Sequence, residues 1–166
     1  IDDLDAISLS FHFNEELGFA EMFLNGKNIE KEIRTIEVSN IVSTVSAISK
    51  VREKLVAEQQ LMGKNKGIVM DGRDIGTVVF PDAELKIFMT ASASTRAKRR
   101  YKELVEKGED VSYDEILKNI TERDLMDTTR DDSPLVKADD AIEVDNSNLN
   151  LEEQFELILE LVDNRM

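Results

Sequence analysis

The sequence has no cysteine and no tryptophan, and a single histidine in 166 residues. Without cysteine there is no disulfide framework and no thiolate metal site. The lone histidine, His12, sits between Phe11 and Phe13 in an alternating run. It reads as a solvated strand residue rather than a catalytic base. Long apolar runs are also missing, and the longest falls far short of the roughly 20 residues needed to span a bilayer. The opening residues, IDDLDAISLS, carry acid where a secretory signal would carry Lys or Arg. A soluble, cytoplasmic protein is expected. Positive charge is outweighed, with 21 Lys and Arg against 35 Asp and Glu and a formal net charge of -14. Such a chain repels polyanions, which argues against nucleic-acid and membrane partners. A Walker A motif is absent too: neither Gly-Lys pair, at 26 and 63, is followed by Ser or Thr.

Hydrophobic residues make up 41% of the chain, enough for a core of one domain with a small appendage. Leu9 to Phe13 and Ala20 to Leu24 read as strands around a turn at Gly18. Asn25-Gly26 suits a type I′ turn, with Lys27 to Ile29 returning as a third strand. From Val38 to Gln60, apolar residues recur at helical spacing, long enough for two helices with a break near Ser46–Ser49. Gly63 ends them.

Three short apolar runs follow, at Gly67–Asp71, Leu85–Thr90 and Ala141–Asp145. They alternate with helical stretches at Ser94–Lys107, Ser112 to about Asp127, and Asn150–Val162. Ser112 with Glu115, and Asn150 with Glu153, have capping-box spacing. Short strands alternating with amphipathic helices predict a parallel α/β sheet. The expected organisation is a β/α insert over residues 1–62 and an α/β core over 63–166, with a lid at about 95–111.

Against the acidic background, arginines gather in four places. Asp71-Gly72-Arg73-Asp74-Ile75-Gly76-Thr77 follows a predicted strand, where open parallel sheets bind ligands. Arginine there offers a planar fork to phosphate, although a plain surface loop with an ion pair has the same composition. Arg123, Asp127 and Arg130 stand at i, i+4 and i+7 on a predicted helix, flanked by Asp124 and Asp131. They form either a solvated face of ion pairs or a grip for a doubly charged phosphate. Arg96, Lys98, Arg99 and Arg100 make a basic turn before the polar connection Glu106–Asp110. That turn is either exposed to solvent or a mobile lid over phosphates. Arg34 and Arg52 bracket Ser39 and Ser43, residues that can cap helices or read the polar edge of a base.

The run from Met70 through Asp71, Gly72, Arg73 and Asp74 to Ala83 closely resembles the signature of bacterial cytidylate kinases. So do Ile33-Arg34-Thr35, Val51-Arg52-Glu53, the Arg96–Arg100 cluster, Glu122-Arg123-Asp124, Ser133-Pro134-Leu135 and Ala138–Ala141. The resemblance runs in order from about Phe11 to the C-terminus. It implies an α/β fold of P-loop NTPase type with a small antiparallel β plus helix insert that receives the monophosphate. It also implies transfer of the γ-phosphoryl group of ATP to CMP or dCMP, with Mg2+, by a monomer. Carried over by position, Ser43, Arg52 and Asp74 would read cytosine. Asp127, with Arg123, would hold the ribose, and Arg73 and Arg130 would grip the CMP phosphate. Arg123 would also lie near the transferred group, and Asp71 would help organise the magnesium site. Arg96, Arg99 and Arg100 would belong to the lid over ATP, with Arg99 and the Asn146–Asn150 loop near the adenine. Arginines converging on phosphates suit phosphoryl transfer, which needs positioning and charge neutralisation rather than a nucleophilic His or Cys.

The family begins with a strand, a glycine-rich loop ending in Gly-Lys-Ser/Thr and a helix, none of which this chain contains. The sheet core is therefore expected to be incomplete, with an open edge where the first strand would pair. A start at Ile1, without Met, fits a fragment or a processed chain. The chain alone is expected to recognise CMP without transferring phosphate. Two alternatives stand beside this reading. One is a non-catalytic nucleotide-binding or protein-interaction module, and the other is a kinase for a different acceptor such as UMP or shikimate.

Overall fold

The computed structural model describes residues 4–165 and divides the chain into two compact units, Ile1–Ile68 and Val69–Met166. The three residues that open the predicted leader-free N-terminus lie outside the described residues.

In the first unit, β1 (Leu9–Asn14), β2 (Phe19–Leu24) and β3 (Lys27–Asn28) form an antiparallel meander in the order β1-β2-β3. Asn14 builds the first turn. Its side-chain oxygen accepts the amides of Glu16 and Leu17 at 3.1 and 3.2 Å, and Gly18 takes a φ of 73°. The second turn places Asn25 at φ 50° and Gly26 at φ 78°, the double left-handed geometry a type I′ hairpin needs. His12 lies on an exposed strand position, its ring 4.4 Å from that of Phe23.

The predicted helical region separates into α1 (Ile36–Ser46) and α2 (Ser49–Met62). Ile48, extended at ψ 113°, makes the break. Arg52 of α2 is buried and donates from Nη1 to the Ser46 carbonyl at 3.2 Å, setting a cation on the open C-terminus of α1. Gly63 caps α2 as expected.

The second unit holds β4 (Ile87–Thr90) and β5 (Ile142–Asp145), paired in parallel with Ile87 opposite Ile142. The chain between them forms α3 (Ala93–Glu106) and α4 (Tyr113–Thr129), which pack on each other, and α5 (Leu151–Asp163) follows. Val79, Ala97, Leu104 and Val144 are its buried apolar residues. This is the α/β class expected from the alternation, with a separate antiparallel meander.

Two local expectations fail. Gly67–Asp71 is not a strand: a ladder needs a partner, and no described residue pairs with it, leaving Val69 fully exposed. Ser112 occupies the N-cap of α4 but makes no side-chain cap bond, so its spacing with Glu115 yields no capping box.

The second box does form. Asn150 accepts the Glu153 amide at 2.9 Å, and Glu153 accepts the Asn150 amide at 2.8 Å. Losing an N-cap side chain costs about 0.5–2 kcal/mol. Asn150→Ala is therefore expected to lower the melting temperature by a few degrees, and differential scanning fluorimetry against Asn150→Asp checks it.

Candidate functional site

The site grows from the C-terminal turn of α4. The helix stops at Thr129, and Arg130 at the C-cap turns to an extended ψ of 145°. Arg130 therefore does not share a helix face with Arg123 and Asp127 by periodicity, as its i+7 spacing suggested. It reaches Asp127 another way. Its Nε and Nη2 donate to the Ser133 carbonyl at 2.8 and 2.6 Å, and its Nη1 lies 3.5 Å from Asp127 Oδ1. Ser133 takes a left-handed φ of 49°, and Leu135 donates to the Asp127 carbonyl at 2.7 Å. The segment after α4 is thus folded back on the helix end.

Asp127 is 4% exposed and anchors three arginines. Besides Arg130, Arg73 donates from Nε to Oδ2 at 3.1 Å, and Arg123 Nε lies 3.8 Å from the same oxygen. Arg73 comes from 54 residues earlier in the chain. Its loop is shaped by a π-helical turn over Ile75–Val79, in which the Asp74 carbonyl accepts the amides of Val78 at 2.9 Å and Val79 at 3.2 Å. A Cβ at Gly72 would come within 2.9 Å of the Ile75 side chain, which would have to shift to admit it.

One carboxylate faces three guanidinium groups, so the cluster carries excess positive charge. Burial holds the Arg123 guanidinium below its usual pKa, and the Arg73 charge adds to that, against the opposing pull of Asp127 and Asp124. Arg123 Nε is also buried with no hydrogen-bond partner among the described residues. An anion arriving here would satisfy that donor and offset the repulsion.

The other predicted residues are spread over both units. Asp74 is buried in the second unit; Ser43 and Arg52 are buried in the first. Asp71 is exposed in the extended segment before Gly72. Arg96, Arg99 and Arg100 all lie on α3, a regular helix whose Ala97 and Leu104 are buried. Arg96, partly exposed, forms a two-pronged bond with Asp124. Arg99 donates to the Asn146 side chain at 3.1 Å, its carbonyl at 2.6 Å and the Leu149 carbonyl at 3.3 Å. Arg100 pairs with Glu103 at 2.9 Å. The reading of residues missed one further centre, the buried Glu30. It takes Arg34 at 2.8 Å and the Met22 amide at 3.0 Å, and its only sequence signal is the i,i+4 spacing to Arg34.

A family model described as cytidylate kinase matches residues 1–164. The chain belongs to the cytidylate kinase family. It is 70% identical over 164 residues to the cytidylate kinase of Flavobacterium psychrophilum, covering 99% of this chain and 73% of that protein. Against the cytidylate kinase of Flavobacterium johnsoniae the identity is 69%, covering 98% and 70% respectively. Against that of Parabacteroides distasonis it is 58%, covering 93% and 67%.

Membership in the cytidylate kinase family implies a nucleotide substrate with Mg2+. Among the described residues no three His, Cys, Asp or Glu side chains gather into a cage. In kinases Mg2+ is held by one or two carboxylates together with water and substrate phosphates. The exposed Asp71 carboxylate is a fitting donor of that kind. No helix among the described residues is long and apolar enough to cross a membrane.

Another ion pair, between Lys86 and the exposed Asp140, joins the segments just before β4 and β5. Lys86, with a buried side chain, donates to both Asp140 oxygens at 2.9 and 2.8 Å and also to the Pro81 carbonyl. The Lys86 hydrogen bond holds the Asp140 carboxyl below the usual carboxylate range. A depressed folded pKa adds stability above the unfolded value, and that stability is lost as pH falls through the folded value. Unfolding by acid is therefore expected to show a shallower pH dependence in Asp140→Asn than in the parent, measured by denaturant midpoints from pH 7 down to pH 3.

Proposed function

We propose that the chain is the acceptor-recognising part of an enzyme that transfers the γ-phosphoryl group of ATP to CMP or dCMP, giving CDP or dCDP. The observation that carries this reading is the convergence of Arg73, Arg123 and Arg130 on the buried Asp127. A carboxylate that holds three guanidinium groups together keeps their positive charge gathered where an anion would bind. In this reading Arg73 and Arg130 bind the monophosphate, and Asp127, with Arg123, takes the ribose hydroxyls. Arg123 also neutralises charge on the transferred group. Asp74, a buried polar residue of the second unit, reads the cytosine. Arg99 and Arg100 on α3, with the Asn146–Asn150 loop, serve the donor nucleotide. Asp71, with the nucleotide phosphates, would hold Mg2+, which would supply charge neutralisation there. The enzyme works as a cytoplasmic monomer on free nucleotides.

The chain carries no Gly-Lys-Ser/Thr segment to cradle the β- and γ-phosphates. The 166-residue chain is accordingly expected to bind CMP in calorimetry and to show no turnover. The full gene product is expected to phosphorylate CMP and dCMP in preference to UMP and AMP in a coupled ADP assay. Absence of turnover with both cytidine nucleotides would sink the reading.

A further inference from the structure

Arg96 opens the basic run on α3, and although its side chain keeps part of its exposure, its donors are engaged by protein acceptors. Nη1 and Nη2 meet Asp124 Oδ1 and Oδ2 at 3.0 and 2.6 Å, and Nε donates to the Ala91 carbonyl at 3.0 Å. One side chain thereby ties the link after β4 and α3 to α4. Asp124 follows Arg123 directly and precedes Asp127 by three residues, so the bond lands on the helix that presents the arginine cluster. Ala97, next to Arg96, is wholly buried.

We infer that Arg96 is a positioning residue for the acceptor site, acting through Asp124, and not a ligand of the donor nucleotide. The inference rests on the reading of the Asp127 cluster as the monophosphate site. Two physical effects support it. A planar fork on a carboxylate fixes two atoms on each side, so α4 cannot rotate about its axis without breaking a bond. Rotation would swing Arg123 and Asp127 away from Arg73. The second effect is electrostatic. Arg123 feels the negative charge of Asp124 as well as that of Asp127. With Arg96 on Asp124, that charge is already paired. Without Arg96, a free Asp124 would compete with the substrate phosphate for its neighbour.

The test uses the full gene product and the variants Arg96→Gln, Asp124→Asn, the double substitution and Arg96→Lys. Wild-type turnover of CMP is measured first. If it is absent, the acceptor-site reading falls and this inference with it. If it is present, each single variant is expected to raise KM for CMP by about tenfold while KM for ATP stays within about twofold. The double variant is expected to be no worse than the poorer single one, because both remove the same bond. Arg96→Lys, which keeps the charge and one prong, is expected to recover most of the loss. An increase in KM for ATP in Arg96→Gln alone, with Asp124→Asn unchanged and the two effects multiplying, would mark Arg96 as a nucleotide ligand and overturn the inference. So would equal losses for both substrates that track a fall in melting temperature. If Arg96→Gln does not fold, Asp124→Asn and Arg96→Lys carry the same comparison.

Discussion

Asp127→Asn in the full gene product is expected to lower kcat/KM for CMP by two orders of magnitude or more. The carboxylate is buried and faces Arg73, Arg123 and Arg130 within 3.8 Å. Removing one partner of a buried ion pair costs about 3–5 kcal/mol; Arg130 is buried with Asp127 while Arg73 and Arg123 keep part of their exposure, so the lower end applies. Here three cations would remain, and they would spread apart. Asparagine keeps the shape and can still accept one hydrogen bond, so the variant isolates the effect of charge. About 1.4 kcal/mol corresponds to a factor of ten in rate, so even the lower bound exceeds a hundredfold if all of it falls on the transition state. The measurement is steady-state kinetics with CMP varied, beside CMP calorimetry and a melting curve. A kcat/KM within threefold of the parent, in a folded protein, contradicts the role of Asp127.

Arg130→Ala is expected to cost nearly as much, and for a separable reason. Arg130 is tied to the folded-back segment through the Ser133 carbonyl as well as to Asp127. Charge-assisted hydrogen bonds contribute about 1.5–3 kcal/mol each, and a guanidinium can offer two in parallel to a phosphate. A fall in kcat/KM for CMP of about a hundredfold is expected, with KM for ATP little changed. Arg130→Lys should lie between the two, since lysine keeps a point charge but loses the planar fork. Full activity in Arg130→Ala would remove it from the phosphate site. A loss in Arg130→Ala that arose only from the Ser133 contact would appear as a lowered melting temperature with unchanged CMP affinity.

How much of this could be read from the sequence depends on the range of the interaction. The meander, the two-helix break and the Asn150 cap rest on neighbours in sequence, and turn chemistry or 3.6-residue spacing reveals them. Arg123 and Asp127 at i,i+4 belong to the same category. Arg73 does not, because nothing in its loop announces that it will meet a carboxylate 54 residues later. Resemblance to a family suggested that grouping; local pattern could not. The failed expectations have physical causes. Gly67–Asp71 has strand composition, but a strand exists only with a partner. Arg130 fits a helical period, but the chain leaves the helix one residue too early for periodicity to place it. Arg96 and Arg99 keep the solvent exposure expected of a basic helix turn, but local spacing could not show the acceptors that each meets at long range. The Lys86–Asp140 pair carries no local signal at all.

The parallel pairing of β4 with β5 also bears on how the chain reaches this state. Ile87 pairs with Ile142, so two four-residue strands must find each other across a loop of more than fifty residues. The loop entropy of that closure is lost before any ladder bond forms, and such non-local pairings slow folding. Helices α3 and α4 lie inside the loop and pack on each other, so forming them first shortens the effective distance. The refolding rate should therefore be most sensitive to the buried residues of α3, such as Ala97 and Leu104. Substitutions in β5, such as Val144→Ala, should act mainly by speeding unfolding.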